Sequence, residues 1–341
     1  MIIRSRAPLR LGLAGGASDV SPFCDRYGGH VLNATIDLYA YCHLEPAQDG
    51  QVTFTATDRE VEFSAPATAA FPLTDHLVLH KAIYNRIVRE FAGGRPLSLR
   101  LTTHSDAPLG SGLGASSTLV VAMVQAYVEW LKLPLGEYDV ARLAFQIERE
   151  DAGLLGGRQD QYAAAFGGFN FMEFYADNRV IVNPLRIKSR IVHELESSML
   201  LYYTGVSRES AGVIKEQCQR VESLDEAAIA ATMELKRDAV LMKESLLQGN
   251  VRELARVLGR SWEAKKKIAS QISSPTIERA YATAMAVGAY SGRISGAGGG
   301  GFIIFMVDPV RKMQVARSLR DCGGHVFPFH FGEMGAHAWT V

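Results

Sequence analysis

The hydrophobic and polar positions in the first half of the chain follow two different periods. Apolar residues recur at helical spacing through residues 76–92 and stop at a pair of glycines, which predicts an amphipathic helix. Residues 97–103 (LSLRLTT) alternate as a β-strand does, and the almost wholly apolar segment 116–131 predicts a buried helix. The same patterns predict strands over 29–46 and 51–57 and a helix over 136–151.

In the second half of the chain, the patterns predict a long helical block bounded by short strands. Residues 198–204 (SMLLYYT) and 302–307 (FIIFMV) are apolar runs typical of buried strands, and residues 208–290 are mostly helical in pattern. A helix over 309–321 and a strand over 324–331 are expected near the end of the chain. Blocks rich in strands followed by blocks rich in helices predict an α+β protein.

The chain has 341 residues, which is enough for two packed domains of ordinary size. We expect an N-terminal domain over residues 1–190 and a C-terminal domain over residues 191–341. The boundary is expected near residues 185–195, after the glycine-rich segment and before the apolar run 198–204.

Composition and charge exclude several classes of protein. Hydrophobic residues make up 48% and charged residues 21% of the chain, as in a globular protein. The 36 basic residues equal the 36 acidic ones, so neither nucleic acid nor a membrane is expected as the main partner. The four cysteines are far apart, without a CxxC pair, and neither a signal peptide nor a membrane-spanning run is recognisable. A cytoplasmic location is therefore expected.

A glycine-rich loop joins the predicted strand 97–103 to the predicted helix 116–131 and has the composition of a phosphate site. Glycines let the backbone approach a ligand and turn its N–H groups towards it, and the following helix adds the positive end of its dipole. We therefore expect a nucleotide's phosphates to bind at Pro108, Gly110, Ser111, Gly112, Leu113, Gly114, Ala115, Ser116 and Ser117.

Other interpretations of this loop remain open on the residues alone. It lacks the lysine of a Walker loop, whereas Gly110, Gly112 and Ala115 fit the G-x-G-x-x-A pattern of a dinucleotide-binding fold. That fingerprint belongs to a first βαβ unit, and here it lies beyond residue 100. Ser116 is either the N-cap of the following helix or a ligand for phosphate or magnesium, and the two roles are compatible.

Two acidic residues and one arginine are candidates for the chemistry. Asp160 lies between glycines in the loop 153–168, where a carboxylate is placed to take or orient the proton of a substrate hydroxyl. Glu148 lies just upstream on a predicted helix, and Arg10 flanks the first glycine segment. Taken singly, an acidic residue is more often a solvated surface charge, and an arginine more often forms a weak surface salt bridge.

Three segments, taken in chain order, resemble the motifs of the GHMP kinases. They are residues 7–19 (APLRLGLAGGASD), the loop 108–117 (PLGSGLGASS) and residues 294–302 (ISGAGGGGF). The resemblance implies a ribosomal protein S5 domain 2-like N-terminal domain and a ferredoxin-like C-terminal domain, with ATP between them.

The resemblance also implies roles for individual residues. Gly110, Gly112 and Gly114 would cradle the phosphates of ATP, and Ser116 and Glu148 would bind Mg²⁺. Asp160 would be the catalytic aspartate, and Arg10 would assist it. The cofactor expected with ATP is therefore Mg²⁺, and the enzyme class is an ATP-dependent sugar kinase.

The first motif departs from the galactokinase pattern, which carries Glu and His where this chain has Gly16 and Ala17, although Asp19 is kept.

Several stretches, among them GGRQDQYAAAFGGFNFMEF, resemble the branch that phosphorylates D-glycero-D-manno-heptose 7-phosphate on its anomeric C1 hydroxyl, for surface polysaccharide synthesis. This resemblance implies a small-molecule sugar phosphate as partner. A fucokinase-like enzyme, another GHMP kinase and a non-catalytic nucleotide-binding regulator remain alternatives, and a homodimer is possible. The expected substrate-binding residues are Gly16, Asp19, Arg158, Arg208, Gly296, Gly298 and Gly299.

Arg158 and Arg208 are expected to hold the distal phosphate of such a substrate, because arginine binds phosphate in a bidentate manner. For each of them, a solvated arginine is an equally plausible interpretation.

Overall fold

The computed structural model describes residues 1–108, 110–207 and 211–341. The predicted site residue Arg208 lies outside the described residues. The strands are β1 (Ile3–Ala14), β2 (Gly29–Pro46), β3 (Gln51–Ala56), β4 (Val61–Pro66), β5 (Leu99–Ser105), β6 (Phe169–Phe174), β7 (Val180–Pro184), β8 (Met199–Tyr203), β9 (Ala289–Ile294), β10 (Phe302–Val307), β11 (His325–Phe327) and β12 (His337–Thr340).

Helices separate and cover these strands, and one π-helical turn, Ile147–Asp151, follows the fourth of them. The helices are α1 (Phe23–Tyr27), α2 (Val78–Phe91), α3 (Ala115–Leu131), α4 (Glu137–Gln146), α5 (Gln159–Phe166), α6 (Ser189–Ser198), α7 (Ala211–Glu222), α8 (Glu226–Gln248), α9 (Val251–Lys265), α10 (Pro275–Ala286) and α11 (Lys312–Arg320). In the described parts of the chain, no helix is both long and apolar enough to cross a lipid bilayer.

The first sheet forms most of the N-terminal half and has the strand order β12-β1-β2-β5-β3-β4, with β6 and β7 attached through β2. Its central strand, β2, is 18 residues long and pairs with β1, β5 and β6. Helix α3 packs against β1 and β2, and most of its side chains are buried, as its largely apolar sequence requires. The predicted strand 97–103 and helix 116–131 are confirmed as β5 and α3.

The second sheet is antiparallel and has the order β11-β8-β10-β9 in the described residues. In chain order this is a β-α-β-β-α-β arrangement with strands ordered 4-1-3-2, so the ferredoxin-like C-terminal domain is confirmed. Strand β10 (FIIFMV) is buried along its whole length, because one of its faces joins the core beneath β1 and the other packs under the C-terminal helices. The α+β class predicted from the sequence is confirmed.

Several elements differ from the predicted ones. Residues 159–166, expected within a glycine loop, form helix α5, so Asp160 lies in the first turn of a helix. The last strand, β12, pairs with β1 and therefore belongs to the first sheet, although residues 191–341 were expected to form one C-terminal domain. Strand β11 is confined to residues 325–327, shorter than the predicted 324–331. Pairing between strands that are far apart in the chain, such as β12 and β1, leaves no signal in local periodicity.

His80 makes the free energy of unfolding depend on pH. It lies in the first turn of α2 and is buried, and its Nε2 lies 2.9 Å from Thr103 Oγ1 on β5. Burial lowers the pKa of His80 to about 4, with a smaller contribution from the charge of Arg59. The neutral form therefore stabilises the fold above the unfolded-state pKa, and this stability is lost as the pH falls from about 6.5 towards 4.

We expect wild-type protein to lose about 2 kcal/mol more unfolding free energy than a His80→Gln variant between pH 7.5 and pH 5, because glutamine does not titrate. Urea unfolding at both pH values measures this difference. His325→Gln, at an exposed position of β11, is the control and should keep the wild-type pH dependence. Equal pH dependence in wild type and His80→Gln would contradict the assignment.

Candidate active site

A cleft of about 780 Å³ lies between the two sheets and is lined by segments from both of them. The glycine-rich loop of residues 110–117, called the phosphate loop below, lines this cleft. Backbone hydrogen bonds connect it to a strand of each sheet. The N–H of Arg10 on β1 donates to Leu113 O at 3.1 Å, and the N–H of Phe302 on β10 donates to Ser111 O at 2.9 Å. The loop is therefore positioned jointly by both domains.

The phosphate loop requires glycine at three alternate positions. Gly110, Gly112 and Gly114 have φ angles of 75°, 84° and 78°, which side chains rarely adopt. A Cβ on Gly112 would also overlap the backbone of Ser295, so the loop and the third glycine segment touch directly. Gly114 is the N-cap of α3 and provides no side-chain cap, which leaves the first N–H groups of the helix for an anion.

Ser116 lies inside the first turn of α3, so it is not the N-cap of that helix. Its hydroxyl donates to Glu148 Oε1 at 2.9 Å, and Gln161 Nε2 donates to Glu148 Oε2 at 2.7 Å. Glu148 is buried in the π-helical turn, and Arg149 Nη1 lies 3.4 Å from its Oε1. Ser117 Oγ accepts from Gln161 Nε2 at 3.2 Å, completing a small polar cluster beside the loop.

This cluster fits a magnesium ion that shares its coordination with a nucleotide. A hydroxyl and a carboxylate are oxygen ligands of the kind Mg²⁺ prefers, and the metal usually keeps phosphate and water ligands in addition. The parts of the chain that the structure describes contain no group of three His, Cys, Asp or Glu side chains able to hold a metal alone. Mg²⁺ at Ser116 and Glu148 would thus depend on phosphate oxygens.

Arg10 and Asp160 form an ion pair that lines the cleft. Arg10 Nε donates to Asp160 Oδ1 at 2.7 Å, and its Nη1 donates to Gly112 O at 2.6 Å. The arginine side chain is 4% exposed and the aspartate side chain 21%, so the carboxylate faces the open space while the guanidinium lies behind it. A Cβ on Gly114 would lie 3.1 Å from Asp160 Cγ, which places the carboxylate directly beside the phosphate loop.

Asp19 holds the helix that carries Asp160. Its Oδ2 accepts the backbone N–H groups of Arg158 and Gln159 at 3.0 and 3.1 Å, at the start of α5. Its Oδ1 accepts Gln159 Nε2 at 3.1 Å. Burial raises the pKa of Asp19, and the nearby charge of Asp160 raises it further. Asp19, which the sequence predicts to bind substrate, lines the cleft, and the hydrogen bonds that it accepts position the start of α5.

Arg158 does not line the cleft, although it was predicted to bind a distal phosphate. Its guanidinium is buried and donates to Tyr175 O at 2.9 Å, Ser21 Oγ at 3.1 Å and Asp25 Oδ1 at 3.0 Å. This bonding argues against Arg158 as a phosphate ligand, because its charge is already paired.

The third glycine segment contributes to the cleft through only some of its predicted residues. Gly296 and Gly298 line the cleft, as does Gly16 from the first motif, whereas Gly299 does not. The N–H of Gly299 instead donates to Ile272 O at 2.8 Å.

Several cleft residues escaped the sequence analysis. Lys265, at the end of α9, and Arg293, on β9, are both buried and face the cleft. Lys265 belongs to a run of three lysines, and only its position on the apolar side of an amphipathic helix distinguishes it from the other two. The cleft is also lined by apolar and polar side chains from the end of β3, the start of α2 and α3: Ala56, Asp58, Arg59, Asp75, His76, Leu77, Leu79 and Leu119.

Known proteins match this chain over its whole length. Residues 78–168 match the GHMP kinases N terminal domain, and residues 242–325 match the GHMP kinases C terminal domain. D-glycero-alpha-D-manno-heptose 7-phosphate kinase of Campylobacter jejuni is 48% identical over 339 residues, covering 99% of each chain. The crystal structure of a D-glycero-D-manno-heptose 1-phosphate kinase from Bacteroides thetaiotaomicron matches with a TM-score of 0.86 and 47% identity over 99% of each chain.

A more distant relative is the L-fucokinase/L-fucose-1-P guanylyltransferase of Bacteroides fragilis. It is 25% identical over 94% of this chain, which corresponds to 36% of that longer protein.

Gly157 provides a test of the Asp19 contact. A Cβ at this position would overlap the Asp19 carboxylate, so Gly157→Ala must displace either the aspartate or the start of α5. We expect a loss of about 1–3 kcal/mol in unfolding free energy, measured by urea titration. The control is Gly212→Ala in α7, where the space is open and alanine should be neutral or slightly stabilising. Equal stability of the two variants would contradict the contact.

Proposed function

Because this chain belongs to the GHMP kinases and is an ATP-dependent sugar kinase, we propose that it phosphorylates D-glycero-D-manno-heptose 7-phosphate on its anomeric C1 hydroxyl. The product is then the 1,7-bisphosphate, a precursor of nucleotide-activated heptose for surface polysaccharide. The observation that carries the proposal is the identity of 47–48% with heptose phosphate kinases over 99% of each chain. The names of those two relatives differ in the position of the phosphate, so the experiment must include both heptose monophosphates.

Asp160 is the proposed acceptor of the C1 hydroxyl proton. Its Oδ1 is occupied by Arg10, which leaves Oδ2 for the sugar. As the sugar oxygen bonds to the γ-phosphorus, the proton moves to Asp160 and the bond between the γ-phosphorus and the β–γ bridging oxygen breaks, which releases ADP. Arg10 keeps the carboxylate oriented towards the substrate through its hydrogen bond to Oδ1.

The nucleotide is proposed to lie along the phosphate loop, with its phosphates at the N-terminus of α3 and its base against the partly apolar lining that includes Ala56, Leu77 and Leu79. Ser116 and Glu148 would hold Mg²⁺, which neutralises phosphate charge when bound.

The four cysteines, all in described segments, are free, in keeping with action in the reducing cytoplasm. A homodimer stays a prediction.

A coupled ADP-release assay with ATP and Mg²⁺ tests the proposal. The panel comprises D-glycero-D-manno-heptose 7-phosphate, the corresponding 1-phosphate, the unphosphorylated heptose, mannose 6-phosphate and L-fucose. Turnover of the 7-phosphate is expected, and proton-coupled ³¹P NMR of the product should add a doublet for a phosphate on C1 to the triplet of the phosphate on C7. Turnover of the 1-phosphate alone would move the transfer to C7, and turnover of fucose alone would favour the fucokinase-like alternative.

Asp160→Asn tests the acceptor role. An amide keeps the shape of the carboxylate and does not accept the proton, so we expect kcat to fall by roughly 10²- to 10⁴-fold. KM for ATP should stay within about threefold of the wild-type value, because the phosphate loop is unchanged. Asp177→Asn, in the exposed turn between β6 and β7, is the matched control and should retain full activity. A parallel loss of ATP binding in Asp160→Asn would indicate a structural role instead.

A further inference from the structure

Lys265 is a buried cation with few partners. Its side chain is 3% exposed and lines the cleft, and its Nζ donates to the carbonyl oxygen of Gly296. Among the described residues, no carboxylate lies within salt-bridge distance of this nitrogen. An ammonium group can donate three hydrogen bonds, so this site leaves donors free on the cleft side.

The surroundings of Lys265 are positive overall. Burial, together with the charges of Arg293 and Arg10, pushes the pKa of Lys265 well below its ordinary value, and only Asp19 acts in the opposite direction. Arg293 is also buried; it donates to Leu13 O and Ser261 Oγ, while its Nε has no partner. A buried cation that costs stability in the free protein is typical of a site that a ligand anion completes.

We propose that Lys265 binds the phosphate group that the sugar substrate already carries, with Arg293 as the supporting cation behind it. This inference rests on the proposed function, and it replaces Arg158, whose guanidinium is paired elsewhere.

Two observations favour the sugar's phosphate over those of ATP. The phosphates of ATP already have the loop and the N-terminus of α3, whereas the charges acting on Lys265 are those of Arg293, Arg10 and Asp19, which lie on the side of the cleft that carries Asp160. Gly16 and Ala17 line the same cleft without a carboxylate, and the nearby Asp19 carboxylate is occupied by the backbone N–H groups of Arg158 and Gln159. With a sugar that has no distal phosphate, Lys265 would keep only the carbonyl of Gly296 as a hydrogen-bond partner among the described residues.

The variant Lys265→Met tests the assignment, because methionine keeps the length of the side chain and removes its charge. For heptose 7-phosphate we expect KM to rise about 10- to 100-fold, the effect of losing one charged hydrogen bond. For the unphosphorylated heptose, kcat/KM should stay within about threefold, and so should KM for ATP. The melting temperature of the free protein should rise by about 2 °C, because a buried charge has been removed.

The neighbouring Lys266→Met is the control, since Lys266 pairs with Glu263 on the surface side of the helix. It should leave KM for both sugars unchanged. Parallel losses of Lys265→Met on both sugars with a raised KM for ATP would assign the lysine to the nucleotide and overturn the proposal. A lower melting temperature without any discrimination between the two sugars would make Lys265 structural, which also overturns it.

Failure of the proposed function is a separate outcome, because it concerns the wild-type enzyme. Wild type that turns over neither heptose monophosphate would overturn the function and this assignment together. Wild type that turns over heptose 7-phosphate, with a Lys265→Met variant of unchanged KM, would overturn this assignment alone.

Discussion

The guanidinium of Arg10 joins the parts of the chain on which the active site depends. It donates to Asp160 on α5, to the carbonyl of Gly112 in the phosphate loop and, at 3.4 Å, to Ser295 Oγ before the third glycine segment. These partners lie between 102 and 285 positions from Arg10 in the sequence. Since the arginine is almost fully buried, its charge requires these partners, and the three motifs are thereby fixed relative to one another.

The packing behind this network explains why the cleft keeps its shape. One hydrophobic cluster contains Leu9 and Leu11 of β1 together with Phe302 and Ile304 of β10, so the two sheets share a core beneath the site. The glycine loops lie on this shared core and touch each other where Gly112 meets Ser295 and Gly296. A side chain at Gly112 would separate the loops, and the anion site would lose one wall.

The charges of the site are arranged at a cost to stability. Asp19 has a raised pKa and Lys265 a lowered one, chiefly because both are buried, and Asp19 is compensated by backbone N–H groups at the start of α5. Among the residues that the structure describes, Lys265 has no comparable compensation. Such unpaired charge is characteristic of binding sites, where the ligand supplies the missing interaction.

The sequence by itself determined the features that are local in origin. Positive φ angles favour glycine, so Gly110, Gly112 and Gly114 indicated the phosphate loop. Nearly continuous apolar runs indicated the buried elements α3 and β10. Only the tertiary structure decided which charges are free. The sequence does not distinguish a paired Arg158 from an unpaired Lys265, but Asp25 neutralises the first, and the second faces the cleft without a carboxylate partner in the described parts of the chain. Charge pairs of this kind depend on residues distant in the chain, as do the pairing of β12 with β1 and the hydrogen bonds that Asp19 accepts at the start of α5. Short-range sequence patterns do not encode such contacts.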